Sequence, residues 1–489
     1  MPSTIRVSLL SLLVFAMTAS AQVPSPAIEG PITGGTGAPF VAATSFDPAT
    51  VGYMLEEYFL TGTASSFTSA TKLESDGKWT AIPGVTAPYR TRIVVYRPIK
   101  KAKFNGTVLV EWLNVSGGLD AAADWIGAHT ELMREGWAYV GVSAQYVGVE
   151  GGPALLDILP NPLKTVDPVR YGSLSHPGDS FSFDIFSQAG QALRTPNGPS
   201  PLGDLKIKRV IGAGESQSAF RMVTYVNAIH PVAHVYDGFL VHSRGGDSAA
   251  LSEKPQAVVP AAKPVFIRDD IDVPVLTFQT ETDLLFLGSV PARQPDADNI
   301  RLWEVAGTSH ADTYTVAVGM ADDGSTTAGA ELYVTNAPPA IGVTCSANIN
   351  SGPHHFVLKA ALHALERWVR SGKPPASMPR LEFVPATGSV PADVARDARG
   401  NATGGIRTPQ LDVPIASYSG VGQVGSILCL LFGSTEPFDT ATLAELYPSS
   451  KDYVKAFNKA LRAATKTGAV RPKDAKIMKA AAKQVTLGG

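Results

Sequence analysis

A series of short strand-like runs, each separated from the next by a helical or irregular stretch, constrains this chain most. The runs fall at residues 93–97, 107–112, 138–143, 209–212, 238–242, 275–279 and 302–305. Several are almost wholly apolar, as strands buried on both faces of a mainly parallel sheet must be. Residues 121–134 have the amphipathic spacing of a helix. Ser351-Gly352-Pro353 opens another, which runs to Arg370 with Phe356, Val357, Ala360, Leu365 and Trp368 on its buried side. The alternation predicts an α/β fold: one mainly parallel sheet with helices on both faces. With 44% apolar and 17% charged residues among 489, the chain can bury such a core and is not a disordered polymer.

The parts outside that alternation divide the chain. Residues 1–21 read as a signal peptide: Arg6 supplies the positive end and residues 7–17 form an apolar run too short to span a bilayer. Ala19-Ser20-Ala21 fits small-x-small cleavage, so the mature chain is expected to start at Gln22 and to be secreted or periplasmic. Residues 22–50 read as an extended arm, 51–375 as the core, and 376–489 as a wrapping segment followed by basic helices packed on the core. Within the core, residues 148–200 are rich in Pro, Gly and aromatics and interrupt the pattern, as an insertion walling a pocket would. Residues 451–489 carry 10 Lys+Arg and 2 acids, yet the whole chain has a formal charge of −2, which argues against a nucleic-acid binder. Those lysines surround an apolar stripe of Tyr453, Val454, Phe457, Ala460 and Leu461, which reads as a solvated helix face. No later run is long enough for an integral membrane segment. Export would put Cys345 and Cys429 in an oxidising compartment, where they can pair as a disulfide; two buried thiols are the alternative.

One segment carries chemistry. Around residues 209–228 a strand, a sharp turn and a helix follow one another, and the turn is Gly214-Glu215-Ser216-Gln217-Ser218. It is a variant of the G-x-S-x-G elbow, in which small neighbours let strand and helix approach while the serine hydroxyl stands exposed. A serine so placed needs an acid and then a histidine from later strand ends, in that order. Residues 273–283 form a strand ending in Glu281 and Asp283, and residues 300–312 form one ending in a loop that holds His310. The expected roles are nucleophile for Ser216, general base for His310 and imidazole-orienting acid for Asp283, with Glu281 the runner-up. His355, beside His354, is the alternative base. The oxyanion donors expected are the backbone N–H of Gln217 and, from the loop 112–118, that of Asn114 or Val115. No His-Glu-x-x-His or Cys/His ligand spacing is present, so neither a catalytic metal nor a cofactor is expected.

The same turn admits a rival reading. Gly212-x-Gly214-x-x-Gln217 approaches the dinucleotide fingerprint, with Asp237 downstream. Gln217 stands where the third glycine belongs, however, and the turn lies in mid-sheet. A non-catalytic binding protein on the same scaffold is the other alternative.

The chain is similar to the bacterial α/β-hydrolase domain-containing proteins, often secreted, that carry a G-x-S-Q-S elbow. The matching phrases are Gly214-Glu-Ser216-Gln-Ser218, Gln279-Thr-Glu281-Thr-Asp283, Trp303-Glu-Val-Ala-Gly-Thr-Ser-His310-Ala-Asp312, Asn350-Ser-Gly-Pro-His354, Gly404-Gly-Ile-Arg407-Thr-Pro and Leu431-Phe-Gly-Ser-Thr-Glu-Pro-Phe438. The resemblance implies an α/β-hydrolase fold and esterase-type activity on a small-molecule ester, with Ser216 as nucleophile and His310 as base. It leaves Glu281 and Asp283 open as the acid.

Overall fold

The computed structural model describes residues 22–156, 160–339, 342–387 and 392–487. The expected signal peptide lies outside them.

A nine-stranded sheet organises the chain in the order β1-β2-β3-β5-β4-β6-β7-β8-β9. Its strands are β1 (Ala27–Glu29), β2 (Tyr53–Thr68), β3 (Ile82–Pro98), β4 (Thr107–Trp112), β5 (Ala138–Val142), β6 (Arg209–Glu215), β7 (Gly238–His242), β8 (Val275–Gln279) and β9 (Ile300–Glu304). From β5 through β4 and on to β9 every neighbouring pair is parallel. The pairs β1–β2, β2–β3 and β3–β5 are antiparallel.

The side-chain period of two splits the core into two layers. Val108, Val110, Val140, Val210, Phe239 and Val241 point to one face. Leu109, Tyr139, Ile211, Leu240 and Leu276 point to the other. Helices α1 (Ala123–Arg134), α2 (Ser182–Arg194), α3 (Gln217–Thr224), α4 (Glu281–Leu285) and α5 (His354–Ser371) follow in sequence. α2 and α3 bury Phe183, Phe186, Met222 and Val223 in the first layer. α1 and α5 bury Trp125, Leu132, Leu358 and Trp368 in the second. Residues 148–200 thus serve two purposes: α2 is a core helix, whereas Leu155 and Leu156 reach a cavity described below.

The apolar alternation starts at residue 93, but the sheet starts earlier, with β1 and the long β2–β3 hairpin. β2 carries Glu56 and Glu57 in mid-strand, and β3 carries Pro83, Gly84 and Pro88, so neither shows a clean period. Glu57 is buried because Arg92 and Arg170 pair with it in the interior. β6 also runs further than its apolar stretch, to Glu215, because the chain turns only at Ser216.

Beyond α5 the chain wraps the core. Leu381, Ala402, Leu411 and Tyr418 pack against Leu284 and Ala306 near the carboxyl ends of the strands. Helix α6 (Ile427–Leu430) is joined to the 345 segment by a Cys345–Cys429 disulfide. Helices α7 (Ser450–Thr467) and α8 (Pro472–Ala482) bury Tyr453, Phe457, Leu461 and Met478 against Phe356. Lys451, Lys455, Lys459 and Lys466 stay exposed. Ion pairs Arg134–Asp474 and Arg471–Glu131 fasten these helices to α1. Among the described residues no helix is long and apolar enough to cross a membrane.

Candidate active site

Ser216 lies where β6 gives way to α3, at φ 57° and ψ −121°. A non-glycine residue held there costs on the order of 1–3 kcal/mol, so its surroundings must over-determine it. They do: its N–H donates to the His242 carbonyl of β7 at 3.0 Å, and its carbonyl receives the N–H groups of Ala219 and Phe220. Gly214 is required just before it. A Cβ there would stand 2.8 Å from the Ser218 carbonyl oxygen and 2.9 Å from Met222 Cγ.

The three residues expected to work together meet. Ser216 Oγ is 2.8 Å from His310 Nε2, and His310 Nδ1 is 2.6 Å from Asp283 Oδ1. α4 decides which carboxylate reaches the imidazole. Thr280 and Asp283 form a capping box, with the Thr280 N–H donating to Asp283 Oδ2 at 2.7 Å. This holds Asp283 toward His310. Glu281 turns away and accepts from the N–H groups of Gly307 and Gly420 and from Arg396. It ties the His310 loop to the wrapping segment. His355 lies apart from this chain, its ring stacked on Tyr314 at 3.7 Å.

The expected oxyanion donors fare differently. The Gln217 N–H, directly after Ser216, has no acceptor among the described residues. The Asn114 N–H is taken: it donates to the Ala121 carbonyl at 2.9 Å, in a two-way bridge that folds the loop onto itself. Its side-chain amide donates to the Glu215 carboxylate at 3.0 Å. Asn114 therefore offers no free backbone donor, which corrects that expectation. The next N–H, of Val115, has no acceptor among the described residues.

Glu215 and a second imidazole chain escape sequence reasoning. Glu215 Oε1 is 3.2 Å from His310 Nε2, on the side of the ring that meets Ser216. His242 Nδ1 is 2.8 Å from Asp124 Oδ1, and its Nε2 is 2.8 Å from His354 Nε2. His354 Nδ1 is 3.1 Å from the carbonyl of Ser309, next to His310. Glu215 was visible inside the elbow, but nothing marked its partner. The Asp124–His242–His354 contacts join three separate elements and have no local signature.

The charges are strongly coupled. Burial works against an imidazolium at His310, but the Glu215 carboxylate, then the hydrogen bond and charge of Asp283, outweigh it and hold His310 above the ordinary imidazole value. Burial also works against ionised Asp283, yet His310 and the Thr280 N–H hold that carboxyl below its usual range. Burial pushes Glu215 up, against the opposing pull of His310 and His242. His354 is driven down to about 3, first by burial and then by the charge of His242. Burial works against an imidazolium at His242 too, but the hydrogen bond and charge of Asp124 outweigh it and hold His242 above the ordinary imidazole value.

Ser216 opens into a cavity of about 480 Å³. Leu156, Phe220, Phe286, Leu358, Leu428 and Phe432 contribute its apolar walls, and Glu215, His310 and Asp312 its polar floor. A second cavity, of about 390 Å³, lies between α5 and the C-terminal helices and includes none of Ser216, His310 and Asp283. Among the described residues His230, His234 and Asp272 are close enough together to chelate a metal, but none of them lines either cavity.

A strand–turn–helix serine at the carboxyl edge of a parallel sheet, followed in sequence by an acid and a histidine, defines an α/β hydrolase by fold. The chain belongs to that family, since the model described as "Alpha/beta hydrolase domain" matches residues 28–480. No curated protein matches the sequence. Solved structures it is similar to include a putative acetyl xylan esterase from Bacteroides fragilis, at 11% identity over 58% of this chain and 70% of that one, with a TM-score of 0.27. A glucuronoyl esterase from Solibacter usitatus matches at 10% identity over 59% and 82%, with a TM-score of 0.29. A rice cell wall degrading esterase from Xanthomonas oryzae matches at 12% identity over 53% and 88%, with a TM-score of 0.28. Likenesses at this level carry no inference about substrate.

Proposed function

We propose that the protein is a serine hydrolase that cleaves a small-molecule carboxylic ester through an acyl-enzyme, acting outside the cytoplasm. In this reading Ser216 Oγ attacks the ester carbonyl while His310 Nε2 takes its proton. Asp283 accepts from Nδ1, fixes the ring and stabilises the imidazolium. The N–H groups of Gln217 and Val115 receive the developing oxyanion. His310 then returns the proton to the departing alkoxide. Water, deprotonated by the same imidazole, releases the acid and frees Ser216. No step calls for a cofactor.

The observation that carries this reading is the unbroken chain from Ser216 Oγ through His310 to Asp283, at 2.8 and 2.6 Å. A disulfide is consistent with export, because such bonds persist in oxidising compartments. The test is labelling by a fluorophosphonate probe. Wild type should label and Ser216→Ala should not, while His310→Ala should label at least about 100-fold more slowly. Folded wild-type protein that takes no label would instead favour a binding protein on this scaffold. Nicotinamide-dependent turnover surviving Ser216→Ala would favour the dinucleotide reading.

A further inference from the structure

Resting on the hydrolase reading, we infer that the site takes esters whose acyl group is apolar and carries no negative charge. The cavity is large enough for a small-molecule ligand, at about 480 Å³, and its walls are mostly leucine, isoleucine, valine and phenylalanine side chains, with Asn114, Ser116, Gln217 and Thr315 as the uncharged polar ones. Among the described residues that line it there is no lysine or arginine.

The ionisable groups on its floor are acids and imidazoles; all of the imidazoles but His355, which burial holds far below the ordinary imidazole value, are engaged in hydrogen bonds. Glu215 stands 3.2 Å from His310 Nε2, beside the reacting atoms, so its field reaches both the acyl and the alcohol arm. Asp312 accepts from Thr315 N–H and Oγ at 2.9 and 3.0 Å, while its Oδ2 is buried without a hydrogen-bond partner. His310 is held between Ser216 and Asp283, and His242 between Asp124 and His354. His354 also reaches the Ser309 carbonyl, and His355 is stacked on Tyr314. No free cation faces the cavity from these elements. A substrate carboxylate would lose its hydration in a mostly apolar chamber, gain no cationic partner, and lie against Glu215. An uncharged alkyl chain meets none of these penalties and gains from leaving water.

Two contributions can be separated experimentally. Apolar walls disfavour any charge; Glu215 and Asp312 disfavour a negative one specifically. The test compares kcat/KM for three 4-nitrophenyl esters of equal chain length: hexanoyl, 5-carboxypentanoyl and 5-(trimethylammonio)pentanoyl. Measurements at about pH 8 keep Asp312, pushed up by burial to about 6, ionised. The hexanoyl ester should be fastest and the carboxylate ester slowest, at least about 100-fold below it, with the ammonium ester between.

Phe286 lines the cavity wall and is 41% exposed, so Phe286→Lys can place a cation there with little cost to folding. It should raise the carboxylate-to-hexanoyl ratio about tenfold, as Glu215→Gln should. A carboxylate ester hydrolysed as fast as the ammonium ester or the hexanoyl ester overturns the inference, and so does a ratio unmoved by both variants. Fluorophosphonate titration separates the two levels. Protein that labels at Ser216 yet prefers the anionic ester refutes the substrate class alone; folded protein that does not label refutes the hydrolase reading and this inference with it.

Discussion

The pH profile of Glu215→Gln is the sharpest quantitative consequence of the site. The substitution keeps the size of the side chain and an acceptor for the Asn114 amide, and removes one negative charge 3.2 Å from His310 Nε2. Charge pairs in proteins behave as though in a dielectric of about 20, and Coulomb's law then gives a ceiling of about 5 kcal/mol. The realised shift is smaller. Burial pushes Glu215 up, which works against its charged form, and His242 pulls on the same carboxylate. Losing the Glu215 charge should therefore move the acid limb of kcat/KM, set by neutral His310, to lower pH. The measurement is pH-stat hydrolysis of a neutral ester from about pH 5 to 9. An acid limb that stays put or moves up would refute the electrostatic account of His310. Stability offers a second reading with a definite sign. His310 is held above its unfolded value, so the stabilisation it draws from Glu215 and Asp283 is present below its unfolded value of about 6.5 while those carboxylates stay ionised, and is lost as pH rises through the folded value. Glu215→Gln should thus cost more stability near pH 6 than near pH 9.

The two neighbouring acids should separate cleanly: Asp283→Asn should lower kcat about 10⁴-fold with folding intact. Glu281→Gln should instead lower the melting temperature, through up to about 3 kcal/mol, because Arg396 loses its buried carboxylate partner and keeps only Asp393 and the Gly400 carbonyl. Converting Cys345 and Cys429 to serine opens a crosslink between residues 84 apart, worth about 4.5 kcal/mol on the chain-entropy model and read from the denaturant midpoint. Gly214→Ala drives a methyl against the Ser218 carbonyl oxygen, so it should abolish fluorophosphonate labelling and destabilise by about 1–3 kcal/mol.

The parallel half of the sheet was legible because strands with two buried faces must be apolar throughout. The runs at 107–112, 238–242 and 275–279 coincide with β4, β7 and β8. The order Ser216, Asp283, His310 was legible because a parallel sheet delivers successive strand ends to one edge. The choice of carboxylate was not. Positions 281 and 283 look equivalent in sequence, and what separates them is a cap at Thr280 and the partners Arg396 and Gly420 from far along the chain. The β2–β3 hairpin was hidden by prolines and by glutamates whose cationic partners lie elsewhere. Asn114 was misjudged because a glycine-rich loop does not reveal that it will bridge back to Ala121.

The crosslink at Cys345 and Cys429 has a geometric consequence for entry. Ile427, Leu428, Leu431 and Phe432 form one side of the chamber, and that side is riveted to a strip of chain far away in sequence. It cannot swing out alone, as a free flap could. The chamber residues most open to water are Leu155, Phe286 and Ile427, which are 72%, 41% and 52% exposed. A molecule arriving at Ser216 past these side chains crosses a greasy threshold, and sorting by oiliness begins at the doorway.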